Sequence, residues 1–175
     1  ILKLACNGPM RARLSATGSL PPDLARDQAF NAADLSSVEI LNSVLEHTAD
    51  VNAARKLTGW APIHAAALRG DVAIFNALLA KGADPKLVDR LGRTTLHLAA
   101  LSPNGALIPT ILQAGVSPAA ADALGNTALH YAALQGNTAA AKELLAANAP
   151  QPKNGEGKTP HDVAIANEHE DLAKL

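Results

Sequence analysis

Cysteine is nearly absent. Cys6 is the only one, which excludes an internal disulfide framework and any metal site built from several thiolates, as in an ordinary intracellular chain. Aromatic residues are equally scarce at 2%, although hydrophobic residues reach 48%. The core must therefore be built from alanine and aliphatic side chains, which suits short helices packed closely together. Long apolar runs are also missing. Gly, Pro, Asn or a charge interrupts each one before it reaches bilayer length, so a soluble protein without a membrane span is expected. Neither sign of charge dominates: 15 Lys and Arg stand against 16 Asp and Glu, a net charge of −1. That argues against the broad basic field on which sequence-independent nucleic-acid binding depends. With 175 residues, the chain fits one domain or one short repeat array that can bury a core without metals or disulfides.

The start of the chain differs from the rest. Lys3, Arg11 and Arg13 precede the first acid, Asp23, with Ser15, Thr17 and Ser19 nearby. This composition is similar to an organellar transit peptide and equally to an irregular basic leader, so cytoplasm, mitochondrion and plastid all stay open as compartments. The chain opens on Ile1, which fits a processed protein or a fragment of a longer one, and Met10 is an alternative start. Gly8, Pro9, Gly18, Pro21 and Pro22 leave too little apolar surface for independent folding. The leader, residues 1–26, is expected to order only against a partner or the first repeat.

What the sequence has in abundance is self-similarity. His64, His97 and His130 are spaced by 33 residues, and their surroundings align without gaps: Gly59-Trp60-Ala61-Pro62-Ile63-His64, Gly92-Arg93-Thr94-Thr95-Leu96-His97 and Gly125-Asn126-Thr127-Ala128-Leu129-His130. The register continues through the alanine pairs Ala66-Ala67, Ala99-Ala100 and Ala132-Ala133, then through Leu78-Leu79, Ile111-Leu112 and Leu144-Leu145. A fixed period of this length marks a repeat architecture in which each unit buries its apolar face only against its neighbours.

The unit resembles the ankyrin repeat, a family whose pattern has a Thr-Pro-Leu-His start and an ending that Lys81-Gly82-Ala83-Asp84 matches. The resemblance implies an all-α solenoid of stacked helix-turn-helix units. Full copies are expected at about 56–88, 89–121 and 122–153, with a shortened one at 154–175 opening on Gly157-Lys158-Thr159-Pro160. A degenerate copy is expected at about 27–55, carrying Ala32-Ala33, Val44-Leu45 and Ala49-Asp50-Val51-Asn52, with Thr48 where the glycine should be. Four to five helix pairs follow, with Ala66, Ala99, Ala132, Leu78, Ile111, Leu144 and Leu145 buried. Leu112 shares that register, and Leu112→Ala is expected to cost roughly 2–5 kcal/mol if the residue is core.

The residues make physical sense without the family. Thr94, Thr127 and Thr159 can cap helices by accepting a backbone N–H, and Pro62 and Pro160 sit where a first-turn N–H has no intrahelical partner. Gly82 and Gly115 follow a helix where a left-handed residue is needed, and Asn148 replaces them in the third copy. In the second copy Pro103 stands in place of Gly70 and Gly136, and Pro109 falls in the second helix. A distorted, shortened helix near 106–113 is expected there.

The chemistry of catalysis is not visible. Three histidines one helix spacing apart, about 10 Å, cannot share a metal at ligand distances of about 2 Å. The resemblance implies that they bond backbone between repeats. His161-Asp162 and His169-Glu170 read as solvated cap residues. There is no Gly-x-Ser-x-Gly string, and Gly155-Glu156-Gly157-Lys158-Thr159 lacks the first glycine of a phosphate loop. Asp89 and Asp122 recur at the repeat period as turn residues. No cofactor and no enzyme activity are expected.

Two functions are left: a protein-binding adaptor or accessory subunit of a larger assembly, or the recognition arm of an enzyme or effector whose catalytic part lies elsewhere. In the resembled family, binding uses the concave face of turn tips and first helices. Here that maps to Leu57, Thr58, Trp60, Leu68, Arg69, Arg90, Leu91, Arg93, Leu101, Ala123, Leu124, Asn126, Leu134 and Gln135. Leu68, Leu101 and Leu134 share one repeat position. They either form an apolar ladder for a partner or shield the helix stack. Trp60 occupies a turn position that core packing does not require, and with Arg69, Arg90 and Arg93 it describes an apolar surface with a basic edge. Such a surface suits a partner protein carrying hydrophobic and acidic side chains. Trp60→Ala is expected to weaken binding by roughly 2 kcal/mol or more while leaving stability nearly unchanged.

Overall fold

A computed structural model describes Asn31 and residues 50–103 and 105–175. The leader and most of the 27–55 copy lie outside the described residues. Eight helices follow in order: α1 Pro62–Arg69, α2 Val72–Ala80, α3 Thr95–Leu101, α4 Ile108–Gln113, α5 Ala128–Gln135, α6 Thr138–Ala146, α7 Pro160–Ala166 and α8 Glu170–Ala173. They form four pairs. The first helices stack in the order α1, α3, α5, α7, and α4, α6 and α8 pack side by side as a second layer. Among the described residues the only extended pairing is two isolated antiparallel bridges, Val88 to Thr94 and Ala121 to Thr127, at the turns.

Local chemistry sets the helix ends. Pro62 and Pro160 lie in first turns. Asp71 accepts the Ile74 N–H and Asn137 the Ala140 N–H, both at 3.0 Å, which satisfies donors that have no intrahelical partner. Thr159 caps as expected, accepting the Asp162 N–H at 3.2 Å. Thr94 and Thr127 do not cap in this way. Their hydroxyls lie 2.9 and 3.0 Å from Nδ1 of His97 and His130, because the ring already occupies the N-terminal turn. Asn148 takes a positive φ of 54°, the conformation its place in the glycine position requires.

The second pair absorbs its two prolines by starting late. α4 begins at Ile108, three residues after the place that Val72 and Thr138 hold in their copies, with Pro109 in its first turn. Ser102 ends α3 and donates to Ala99 O at 2.7 Å. The Asn137 amide then reaches back from the next copy to Ser102 O at 2.6 Å and Ala100 O at 3.2 Å. Gly105 passes so close to α6 that an added Cβ would sit 2.6 Å from Ala140 N, and its φ is +62°.

Ala66, Ala99, Ala132, Leu78, Ile111 and Leu144 are fully buried. Leu145 is not: like Leu79 and Leu112 it is half-buried at the core edge. Neighbouring residues on a helix point about 100° apart, so only the first of each aliphatic pair faces the core. Leu112→Ala accordingly falls to roughly 1–2 kcal/mol, below the range for a fully buried leucine.

Candidate protein-binding face

The turn tips are joined to one another. Arg90 N–H donates to Thr58 O at 3.1 Å, Ala123 N–H to Leu91 O at 2.9 Å and Gly155 N–H to Leu124 O at 2.8 Å. This contact needs glycine. At Gly125 (φ +78°) an added Cβ would lie 3.0 Å from Gly155 N. The backbone link sets Thr58, Leu91 and Leu124 in one row. Leu57, Leu91 and Leu124 are 88%, 55% and 70% exposed, and Thr58, Arg90 and Ala123 are exposed with them.

On the first helices the leucine ladder is uneven. Leu68 and Leu101 are half-buried and Leu68 packs on the core, whereas Leu134 is 49% exposed, where the next copy offers only Ala166. Arg69 and Gln135 are exposed at the helix ends. Leu124, Tyr131, Leu134 and Val163 line an open groove of ≈ 680 Å³ between the last two copies, edged by Asn126, Asn154 and Lys158. Its size admits several side chains of a partner.

Trp60 and Arg93 are not free tip residues. Trp60 is half-buried against the core and donates its indole N–H to Asp89 Oδ2 at 3.0 Å. Arg93 lies 2.7 Å from the same carboxylate oxygen, with its guanidinium 5.7 Å from the Trp60 ring. Truncating Trp60 therefore removes packing and a partly buried hydrogen bond. The expectation of unchanged stability for Trp60→Ala does not hold, because the indole packs against the core and bonds the Asp89 carboxylate beneath the tip. Arg93 is paired with Asp89, so it adds little to a basic edge on which Arg90 is exposed.

Asp89 and Asp122 are buried centres of hydrogen bonding and more than turn residues. Asp89 also accepts the Leu91 and Arg93 N–H groups, both at 2.9 Å. Asp122 accepts the Leu124 and Asn126 N–H groups at 2.8 Å and the Tyr131 hydroxyl at 2.7 Å. Burial pushes both carboxyls up, but the bonds from Arg93 and Trp60 to Asp89, and from Tyr131 and Asn126 to Asp122, outweigh it and hold each below its ordinary value. Burial and the Asp122 bond push the Tyr131 hydroxyl up to about 12. In the last copy Asn154 takes this place, accepting from Glu156 and Lys158 N–H. Residue type did not mark these centres. The signal was the recurrence of Asp, Asp and Asn three residues before the tip glycine.

His97 and His130 each tie one copy to the next, whereas His64 bonds Leu87 at the end of its own copy. The N–H groups of Ala61, Thr94 and Thr127 donate to Nδ1 of His64, His97 and His130 at 3.0, 3.0 and 3.1 Å. A backbone N–H can only donate, so the ring proton sits on Nε2. From there it is donated to Leu87, Asn126 and Lys158 O at 3.2, 3.0 and 3.1 Å. Burial holds all three rings below the ordinary histidine value. They are neutral when folded and bind protons more readily when unfolded. The stability they confer is complete above the unfolded value of 6.5 and is lost as pH falls through it toward the folded value. The thermal midpoint is expected to drop between pH 7.5 and 5.5, and His97→Gln to flatten that dependence. A midpoint constant over this window would contradict the neutral-ring arrangement.

A profile described as Ankyrin repeats (3 copies) matches residues 29–122 and 104–175. The chain belongs to the ankyrin-repeat family. It is 38% identical over 65 residues to a mouse (Mus musculus) protein named 2-5A-dependent ribonuclease, covering 37% of this chain and 9% of that protein. It is 43% identical over 63 residues to the Caenorhabditis elegans Ankyrin repeat and LEM domain-containing protein 1 homolog, covering 36% of this chain and 9% of that one. This chain thus aligns with less than a tenth of either relative. Ankyrin repeats are in general protein–protein interaction modules and typically lack catalytic activity. Among the described residues of this ankyrin stack, no three His, Cys, Asp or Glu side chains gather as a metal site. None of its described helices is long and apolar enough to cross a membrane.

Proposed function

We propose that this ankyrin stack is a non-catalytic adaptor or accessory subunit that holds a partner protein on its turn tips and first helices. The observation that carries the reading is the apolar exposure of Leu91, Leu124 and Leu134 beside one groove and one backbone-linked row of tips. Removing the exposed leucines from water gives affinity, and the exposed Arg90 at the other end favours acidic side chains in the partner. Leu57, Thr58, Ala123, Asn126 and Gln135 complete the face. Trp60, Arg93, Leu68 and Leu101 support it from beneath. A second reading follows from the similarity to a protein named as a ribonuclease: the stack is the recognition arm of a larger enzyme or effector. Both readings use the same face.

Selection of a displayed peptide library on the immobilised chain tests it. Recovered peptides are expected to combine large apolar residues with Asp or Glu and to compete with one another. Recovery of basic peptides, or of none above background, would sink the assignment of partner chemistry.

A further inference from the structure

Three hydroxyl residues precede proline among the described residues: Ser102, Ser117 and Thr159. Two are committed. Ser102 is fully buried and donates to Ala99 O, and Thr159 donates to Asp162 at 2.7 Å while capping α7. Ser117 differs. It is exposed in the turn after α4, and its oxygen only accepts, from the Ala119 N–H at 3.2 Å.

The place Ser117 occupies belongs to an acid in the two copies before it. Asp84 accepts the Lys86 N–H and Asp50 the Asn52 N–H, each at 2.8 Å and each two residues on, as Ser117 does with Ala119. The surroundings of this place repeat too. Asn52 crosses to the next copy, donating to Gly82 O and accepting from the Asp84 N–H. Lys86, its counterpart one copy on, lies over Gly115, with Nζ 3.6 Å from where a Cβ would stand. Its ammonium thus sits beside the turn that carries Ser117, and no carboxylate pairs with it among the described residues. The turn tolerates a negative group in the equivalent copies, and here it has a cation at hand and a hydroxyl in place of the carboxylate.

We propose that Ser117 is a phosphorylation site for a proline-directed protein kinase, and that the phosphate takes the place of the missing acid beside Lys86. In the transfer, the bond from the γ-phosphorus of a nucleoside triphosphate to its bridging oxygen breaks and the Ser117 Oγ–P bond forms. The hydroxyl proton passes to the kinase's base, and the nucleoside diphosphate leaves. The product adds nearly two negative charges and strong acceptors next to an ammonium and a backbone N–H, so it tightens the turn.

The test incubates the folded chain with a proline-directed kinase and magnesium ATP and reads the sites by peptide mass spectrometry, with the urea-unfolded and diluted chain in parallel. The expected result is one phosphate on the folded chain, at Ser117. Ser102 should be modified only in the unfolded sample, and Ser117→Ala should remove the signal. The phosphorylated chain should melt at a higher temperature than the unmodified one, and Lys86→Gln should abolish that rise. Modification of Ser117 in the unfolded sample alone would overturn the site, as would equal modification of Ser102 in the folded chain. A melting temperature unchanged or lowered by phosphorylation would overturn the role given to Lys86.

Discussion

Gly105→Ala is expected to lower the unfolding free energy by about 2–5 kcal/mol, combining roughly 1–2 for an L-residue in left-handed backbone with roughly 1–3 for forcing a methyl against packed backbone. The second contribution arises because the new Cβ would meet Ala140 N at 2.6 Å and Ala140 Cα at 2.8 Å. These are main-chain atoms of α6, so no rotamer change relieves them. Gly82→Ala separates the two effects. Its φ is +86° but nothing lies within 4 Å of the added Cβ, so only the backbone cost applies, about 1–2 kcal/mol. Urea titration of both variants should rank Gly105→Ala well below Gly82→Ala. Equal losses would show that the loop after Pro103 does not press on the next copy.

Asp122→Ala is expected to cost about 3–5 kcal/mol, since each buried donor left without a partner costs roughly 1–3. Four donors lose their acceptor: the Tyr131 hydroxyl, the Leu124 and Asn126 N–H groups and, more weakly at 3.4 Å, the Asn126 side-chain amide. Tyr131 turning toward the groove recovers part of the loss. Asp122→Asn keeps an oxygen for the two backbone groups and should cost clearly less. A cycle of Asp122→Ala with Tyr131→Phe should show non-additive losses in thermal unfolding, because the two side chains share one bond. Losses that simply add would remove Tyr131 from the network.

Much of the fold was legible because a repeat protein states each local rule several times. Pro62, Pro160, Gly82, Gly115 and Asn148 each act within one turn of chain, so residue type alone fixes what they do. The histidine register was legible for the same reason. What lay between copies was harder. Nothing local to Trp60 reveals Asp89 at 3.0 Å, since that contact exists only once two copies stack. The half-burial of Leu112 and Leu145 depends on helix rotation, which a pair of identical letters conceals. Around Pro103 the departure from pattern was visible and its remedy was not, because Gly105 and Asn137 act on opposite sides of an interface. The candidate face divided along the same line. Exposed tip leucines followed from periodicity, whereas the demotion of Trp60 and Arg93 to supporting roles required the buried carboxylate.

The central claim is that partners are held on the tips and first helices, and a three-way affinity comparison tests it most directly. One library-selected peptide is titrated against the unaltered chain, Leu124→Glu/Leu134→Glu and Glu143→Lys. Leu124 and Leu134 line the groove, and Glu143 is exposed on α6 in the other helix layer. All three chains should melt at nearly the same temperature, because none of the altered side chains is buried. The account predicts that the double leucine variant loses at least about tenfold in affinity, the equivalent of roughly 1.4 kcal/mol, and that Glu143→Lys binds as the unaltered chain does. The opposite pattern, with binding intact in the leucine variant and lost in Glu143→Lys, would place the binding surface on the second helices and contradict the account.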